Sequence, residues 1–211
     1  MASALIHIAV ASKINKKIKR KESEYLIGSI APDIAKIVGI SRNITHFQDK
    51  NKDYPNLDRF LSKYEKHLNN DFVMGYYIHL LTDYFWYKYF FTEIIKGKEI
   101  TKKDGTKEKL EESELKKLIY SEYSSLNRKV IDAYDLNLKI FYNEVPSIED
   151  IISEIPMDKL DKLLEAMGLI IENDKENKNC LFDINDIETF IKTCTDLINS
   201  ILEEKGLIKS Y

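Results

Sequence analysis

Two residues in the most apolar stretch of the chain have the types and the spacing of metal ligands. His79 and Asp83 lie four positions apart in the segment GYYIHLLTD, which begins at Gly75. On an α-helix this spacing places both side chains on one face, one turn apart. They could therefore bind one divalent ion together, and Gly75, one turn earlier, would leave room for an ion or a substrate. For this pair alone, a structural contact between imidazole and carboxylate is the alternative.

Three further polar residues lie in apolar surroundings within the first half of the chain. His7 falls on the apolar stripe of the first predicted helix, Asp33 ends the segment IGSIAPD, and His46 is flanked by Ile44 and Phe47. Each could be a hydrogen-bonded core residue, because an unpaired buried polar group is costly. One shared metal site would satisfy these three residues together with the HxxxD pair.

The predicted ligands are imidazoles and carboxylates, without a thiolate. Such a set suits zinc, with iron or manganese as alternatives, in a hydrolytic site rather than a structural zinc finger. A carboxylate-bridged pair of ions would generate hydroxide near neutral pH and could hold a phosphate group. The chain has neither a Gly-rich phosphate loop nor a GxSxG motif, which argues against nucleoside triphosphate and serine hydrolase chemistry.

Two other titratable residues require an interpretation. Glu122 lies on the apolar stripe of a later predicted helix, where an unpaired charge is rare. It could be a further ligand, a partner of a ligating histidine or a catalytic general base, and a buried salt bridge to Lys or Arg is the alternative. His67 stands among charged residues and is expected on the surface.

The elements that must position these residues are predicted to be helices. The 211 residues include only 7 glycines and 4 prolines and are rich in strong helix formers. Apolar periodicity and capping signals predict helices at 4–19 (N-cap Ser3), 24–30 (N-cap Ser23), 57–68, 71–95, from 113 onwards, 147–154, 157–170 and 185–204. Residues 33–55 look irregular, and Asp104-Gly105 predicts a small hairpin within 98–110.

The predicted helix 71–95 is apolar on nearly every side, which is typical of a central helix surrounded by others. We therefore predict an all-α multi-helix bundle around it, as a single domain over residues 1–211. The metal-site half would span 1–97 and the C-terminal helical half 112–211. That second half could cover the site, select the substrate or bind a partner.

Composition narrows the classes of partner and location. Charged residues make up 32% and hydrophobic residues 44% of the chain, and the net charge of −3 gives no reason to expect a nucleic acid partner. The apolar run 72–91 reaches membrane-spanning length, but His79, Asp83 and Lys88 interrupt it, so we expect a core helix and no transmembrane segment. The start lacks a basic leader, and a cytoplasmic location is expected.

Four short segments resemble the bacterial zinc-dependent phospholipase C family, in particular its small intracellular members. They are the early helix with His7, the run LIGSIAPD ending at Asp33, the tripeptide THF around His46, and GYYIHLLTD with His79 and Asp83. The resemblance covers about residues 1–95. It implies an all-helical fold, metal ligation by these five residues and phosphoester hydrolysis, with Asp83 bridging two ions and Asp33 also handling a proton.

The chain also departs from that family's pattern. Secreted members ligate a zinc ion through the amino group of a processed N-terminal tryptophan, and they carry further histidines and a glutamate for a third zinc. This chain has no such tryptophan, and no histidine follows His79. One or two ions are therefore expected rather than three, and a small phosphoester rather than a phospholipid.

The sequence thus predicts a metal-dependent phosphoester hydrolase in which a metal-bound hydroxide attacks phosphorus. One alternative is a non-catalytic regulatory protein that binds metal or phosphate. Another is a structural protein in which the same polar residues form a buried hydrogen-bond network. A nucleotide phosphohydrolase of the HD type also places His and Asp among helices, but the adjacent His-Asp dipeptide of that class is missing here.

Overall fold

The computed structural model describes residues 2–173 and 179–208, so residues 1, 174–178 and 209–211 of the predicted domain lie outside the described part. The described chain is mainly helical, which confirms the predicted fold class. In chain order its elements are α1 (Ala4–Ile18), α2 (Glu22–Gly28), α3 (Ala35–Val38), α4 (Arg42–Thr45), α5 (Leu57–Tyr64), α6 (Asp71–Trp86), α7 (Thr92–Ile94), β1 (Ile95–Lys96), β2 (Glu99–Thr101), β3 (Lys107–Lys109), α8 (Glu112–Tyr134), α9 (Leu160–Glu172) and α10 (Ile184–Glu204).

Helix α6 is the central element of the fold, as its apolar sequence predicts. Every residue from Phe72 to Asp83 is buried, and α1, α2, α5 and α10 pack around it. The Asn70 side chain caps the helix by accepting a hydrogen bond from the Val73 amide. The predicted helix continues beyond Trp86 as a wider π-helical turn. Among the described residues, no helix combines the length and apolarity that crossing a bilayer requires.

Helices α2 and α6 approach each other so closely that their backbones touch. A Cβ atom added at Gly75 of α6 would overlap the carbonyl oxygen of Tyr25, and one added at Gly28 of α2 would overlap the carbonyl of Phe72. Because glycine has no side chain, each of these two residues lets the helices come into contact. The prediction that Gly75 leaves room for an ion or a substrate was wrong, because the backbone of α2 fills that space.

The C-terminal helices α8 and α10 pack directly on α1. Apolar residues of both halves, from Ala2 to Leu202, belong to one continuous buried cluster. Ser3 caps α1 as predicted, with its hydroxyl accepting a hydrogen bond from the Ile6 amide. The apolar stripe of α1, which includes His7, is thereby held against the centre of the molecule.

The prediction of a helix at 147–154 was wrong, because the structure has no helix in this segment. It lies between two prolines and is too short to be a stable helix by itself. Instead it makes tertiary contacts. Ile152 is fully buried, the Ser153 amide donates to the Tyr64 hydroxyl over 3.1 Å, and Glu154 pairs with Lys63.

The structure also differs from the prediction in three smaller details of the secondary structure. The region expected to be irregular contains the short helices α3 and α4. Helix α2 begins at Glu22, before the predicted cap Ser23, and has no side-chain cap. The predicted hairpin around Gly105 forms between β2 and β3, and β1 adds a third antiparallel strand by pairing Ile95 with Ile100.

Replacing Gly75 by Ala should lower the free energy of unfolding by about 2 to 3 kcal/mol, because the new methyl group would force α2 away from α6. Gly168 in α9 is the matched control, since a Cβ there would lie 3.7 Å from the Phe141 Cβ, an ordinary contact. Gly168→Ala should change stability by at most about 1 kcal/mol. Urea unfolding measures both, and equal stability of the two variants would contradict the close helix contact.

Candidate metal centre

The structure brings together all five residues predicted as metal ligands. His7 comes from α1, Asp33 from the 3-10 turn that follows α2, His46 from the end of α4, and His79 and Asp83 from α6. None of the five is more than 4% exposed. Segments as far apart in sequence as residues 7 and 83 therefore converge on one buried polar cluster.

Asp83 lies between the histidines of this cluster. Its Oδ1 is 3.3 Å from His7 Nε2, and its Oδ2 is 3.7 Å from both His46 Nε2 and His79 Nε2. The rings of His7 and His79 stack with their centroids 3.7 Å apart. On the other side, His46 Nε2 is 3.7 Å from Asp33 Oδ1. The two oxygens of Asp83 thus face different histidines, which is the arrangement that a bridging carboxylate requires.

The backbone of α2 sets the tautomer of His79. Its Nδ1 lies 2.8 Å from the carbonyl oxygen of Ser29, and since a carbonyl can only accept, Nδ1 must carry the proton. Nε2 of the neutral ring then presents a lone pair. This Nε2 is 3.2 Å from His46 Nε2, while His46 Nδ1 is 2.9 Å from the Thr45 hydroxyl. Such second contacts orient imidazoles that bind metals.

The two aspartates are ionised despite their burial. Burial is the largest single influence and raises the pKa of Asp33, but the contact with His46 and the nearby charges of Lys36 and the histidines together outweigh it, so the net pKa lies below the ordinary value. For Asp83, burial is likewise outweighed by His7 and the positive charge of Arg42, so its pKa is held well below the ordinary value. Both carboxylates are therefore available as anionic ligands at neutral pH.

For His46 and His79, by contrast, the surroundings favour the uncharged form of the side chain. Burial lowers the pKa of His46 below 6.5, and the charge of Arg42 lowers it further. Burial also lowers the pKa of His79 well below 6.5, and the neighbouring His7 adds to this effect. Neutral imidazole together with ionised carboxylate is the protonation state in which these side chains bind a metal.

Several buried polar atoms of the cluster lack a hydrogen-bond partner in the described part of the chain. They are Asp33 Oδ1 and both ring nitrogens of His7. An unsatisfied buried polar group costs about 1–3 kcal/mol. A cation bound to one ring nitrogen of His7, or to Asp33 Oδ1, would satisfy that atom and offset carboxylate charge, so the residues fit a metal ion.

Two overlapping groups could each hold one ion: His7, His79 and Asp83, or Asp33, His46 and His79. Within each group the candidate ligand atoms lie within 4.8 Å of one another. His79 belongs to both, but its Nδ1 is bound to Ser29, so only Nε2 remains, and one nitrogen binds one ion. The cluster therefore fits one ion with three protein ligands, which leaves a position for water or substrate. A second ion would have fewer protein ligands.

Arg42 is a residue of the site that the sequence prediction missed. Its Nη2 donates to Asp83 Oδ2 over 2.6 Å, and its side chain is 27% exposed. The backbone amide of Ala2 donates to the other oxygen, Oδ1, over 3.1 Å. The position of Arg42, four residues before His46, could have indicated that both side chains lie on one face of a helix.

The segment that carries His46 is held by aromatic side chains. The hydroxyl of Tyr76 donates to the carbonyl oxygen of Thr45. Phe47 has a positive φ of 54°, which is strained for a bulky residue. Its ring packs edge-on against Phe60 with centroids 5.2 Å apart. These contacts compensate the strained turn, and no local sequence signal indicated it.

Glu122 lies outside both ligand groups. Its carboxylate accepts hydrogen bonds from the backbone amides of Cys180, Leu181 and Phe182 and from the side-chain amide of Asn179. These contacts are neither a salt bridge to Lys or Arg nor contacts with the ligand residues. They form because the chain before α10 folds back onto α8 and supplies N–H donors to the carboxylate. His67 is exposed, as predicted.

Comparison with known proteins assigns neither a family nor a function to this chain. No protein-family model, curated protein or solved structure matches this chain. The resemblance to zinc-dependent phospholipase C therefore stays a prediction, and a functional proposal has to rest on the geometry of the cluster.

Removal of His79 should abolish tight metal binding, because this residue is common to both ligand groups. His79→Ala is expected to retain almost no zinc, whereas His46→Ala leaves the His7, His79 and Asp83 group intact and should retain zinc at reduced affinity. Elemental analysis and chelator competition measure both, with His67→Ala as a control of wild-type metal content. Complete loss of zinc in His46→Ala would show that the His7 group does not hold an ion alone.

The metal-free protein should become less stable as the pH falls below about 6.5. The folded-state pKa values of His46 and His79 lie below the ordinary value of 6.5, so the unfolded state binds more protons in this range. For each of the two histidines, the free energy of unfolding then falls by up to about 1.4 kcal/mol for every pH unit below this value. Urea unfolding in EDTA at pH 7.5 and 5.5 tests this, and equal stabilities would mean that the two histidines are not held neutral.

Proposed function

We propose that this protein is a metal-dependent hydrolase of a small phosphoester. The observation that carries the proposal is the convergence of the imidazoles of His7, His46 and His79 with the carboxylates of Asp33 and Asp83 at one buried point. The aspartates are held ionised and two of the histidines neutral. A cation is the partner that this set of charges and lone pairs lacks.

The ligand types suit zinc, with iron or manganese as alternatives. Such an ion, when bound, activates water for attack on phosphorus and neutralises charge on the phosphoryl oxygens. His79 supplies one ligand from α6, and either His7 with Asp83 or Asp33 with His46 completes the set. When His7 completes it, the free Asp33 Oδ1 is the acceptor that can hold a proton or a water molecule.

The neighbouring residues keep these ligands in place. Ser29 holds the His79 ring through Nδ1, and Thr45 contacts Nδ1 of His46. Helix α6 is rigid because it is surrounded by other helices. A site built on a buried helix with fixed ring orientations provides the preorganisation that hydrolysis of a stable ester needs.

A non-catalytic protein that binds metal or phosphate is the second candidate. The observation in its favour is the depth of the cluster, since all five ligand residues are at most 4% exposed. Arg42 is the partly exposed residue in contact with Asp83, and a substrate would have to approach beside it. Turnover of phosphoesters distinguishes the enzyme from the binding protein.

Asp83→Asn should lower metal-dependent phosphoesterase activity by at least about 100-fold, because the amide keeps the shape of the side chain but loses the charge that faces the histidines. The helical content should stay close to that of the wild type. Hydrolysis of p-nitrophenyl phosphate and bis-p-nitrophenyl phosphate by the zinc- or manganese-loaded protein measures the activity.

His67→Ala is the matched control, because His67 is exposed and outside the cluster, and it should be as active as the wild type. Full activity of Asp83→Asn would remove Asp83 from the site. Metal binding by the wild type without hydrolysis of any phosphoester would favour the non-catalytic protein, and absence of metal binding would favour a buried hydrogen-bond network.

A further inference from the structure

Arg42 has hydrogen-bonding capacity that its contact with Asp83 does not use. Nη2 donates to Asp83 Oδ2, but Nε is buried without a hydrogen-bond partner in the described part of the chain. A guanidinium presents Nε and an Nη as a planar fork that matches two oxygens of a phosphate or a carboxylate. One arm of Arg42 therefore lacks an acceptor, although the group lies beside the proposed reaction centre.

A second cation, Lys36, lies in α3, three residues after Asp33 and directly after the turn that carries it. Its Nζ is 5.2 Å from the ring centroid of Tyr120, and its charge helps to hold the pKa of Asp33 low after the effects of burial and of His46. Burial and the charge of Arg42 lower the pKa of Lys36, but the charge of Asp33 and the contact with Tyr120 outweigh them, so the pKa is raised and the ammonium stays charged. Arg42 and Lys36 thus each lie beside one carboxylate of the cluster, Asp83 and Asp33 respectively, and both are charges to which an anionic ligand could bind.

We propose that Arg42 and Lys36 form the phosphoryl-binding subsite of the cluster, and that Arg42 exchanges Asp83 for oxygens of the substrate. This inference rests on the proposed function. In the structure, Arg42 supplies positive charge to Asp83. Once Asp83 is engaged as a metal ligand, its charge is compensated from the other side, and Arg42 can turn its fork to the non-bridging oxygens of a phosphoester.

The exchange predicts opposite effects of one substitution on two ligands. Arg42→Gln removes a cation that competes for Asp83, so zinc should bind several-fold more tightly. The same variant loses its charged donors, so inorganic phosphate should bind the zinc-loaded protein about 10- to 100-fold more weakly. A residue with only a structural role would weaken both ligands or neither.

The experiment is calorimetric titration of inorganic phosphate into zinc-loaded protein, with zinc affinity measured separately by chelator competition. Arg42→Lys keeps the charge but not the planar pair of donors, and it should also weaken phosphate binding. This variant replaces Arg42→Gln in the experiment if Arg42→Gln does not fold. Lys36→Gln should weaken phosphate binding by about 5-fold. Arg128→Gln is the matched control, because that side chain is 79% exposed on α8, and both affinities should be unchanged.

The outcomes separate this subsite from the proposed function. Zinc binding by the wild type with the same phosphate affinity in Arg42→Gln would overturn the subsite and leave the metal centre in place. Weaker zinc binding in Arg42→Gln would overturn the exchange at Asp83. A wild-type protein that binds no zinc would overturn the proposed function, and the subsite with it.

Discussion

The backbone contact between α2 and α6 is the constraint on which the site depends. Gly28 and Gly75 let the two helices touch, and the end of α2 thereby presents the Ser29 carbonyl to His79 Nδ1 at 2.8 Å. The same contact positions the turn that carries Asp33. A larger residue at either glycine would move the tautomer-setting carbonyl and one carboxylate together, so the helix packing and the chemistry of the cluster are coupled.

The second constraint is the cost of burying five polar side chains next to one another. Asp83 is in contact with Arg42, His7 and the Ala2 amide. Asp33 Oδ1, in contrast, has no hydrogen-bond partner in the described part of the chain. A hydrogen-bond network alone would leave such atoms unsatisfied. A metal ion would take such an atom as a ligand and offset the carboxylate charge, and this supports the proposed metal centre over the alternative of a purely structural cluster.

The remainder of the chain supports and encloses this centre. Helices α8 and α10 pack on α1, the helix that carries His7, and the Glu122 carboxylate accepts hydrogen bonds from backbone amides of the segment before α10. Arg42, by contrast, is partly exposed and has an unused donor. The five residues of the cluster are thus buried, while Arg42, which contacts Asp83, is partly exposed.

The sequence by itself determined the long helices and the five residues of the cluster. The periodicity of α1 and α6 is local, and a polar side chain on an apolar face, such as His7, indicates burial without knowledge of its neighbours. Only the tertiary structure decided the roles of Ser29, Arg42 and Glu122 and the absence of a helix at 147–154. These features depend on contacts between segments distant along the chain, which local helix propensity does not report.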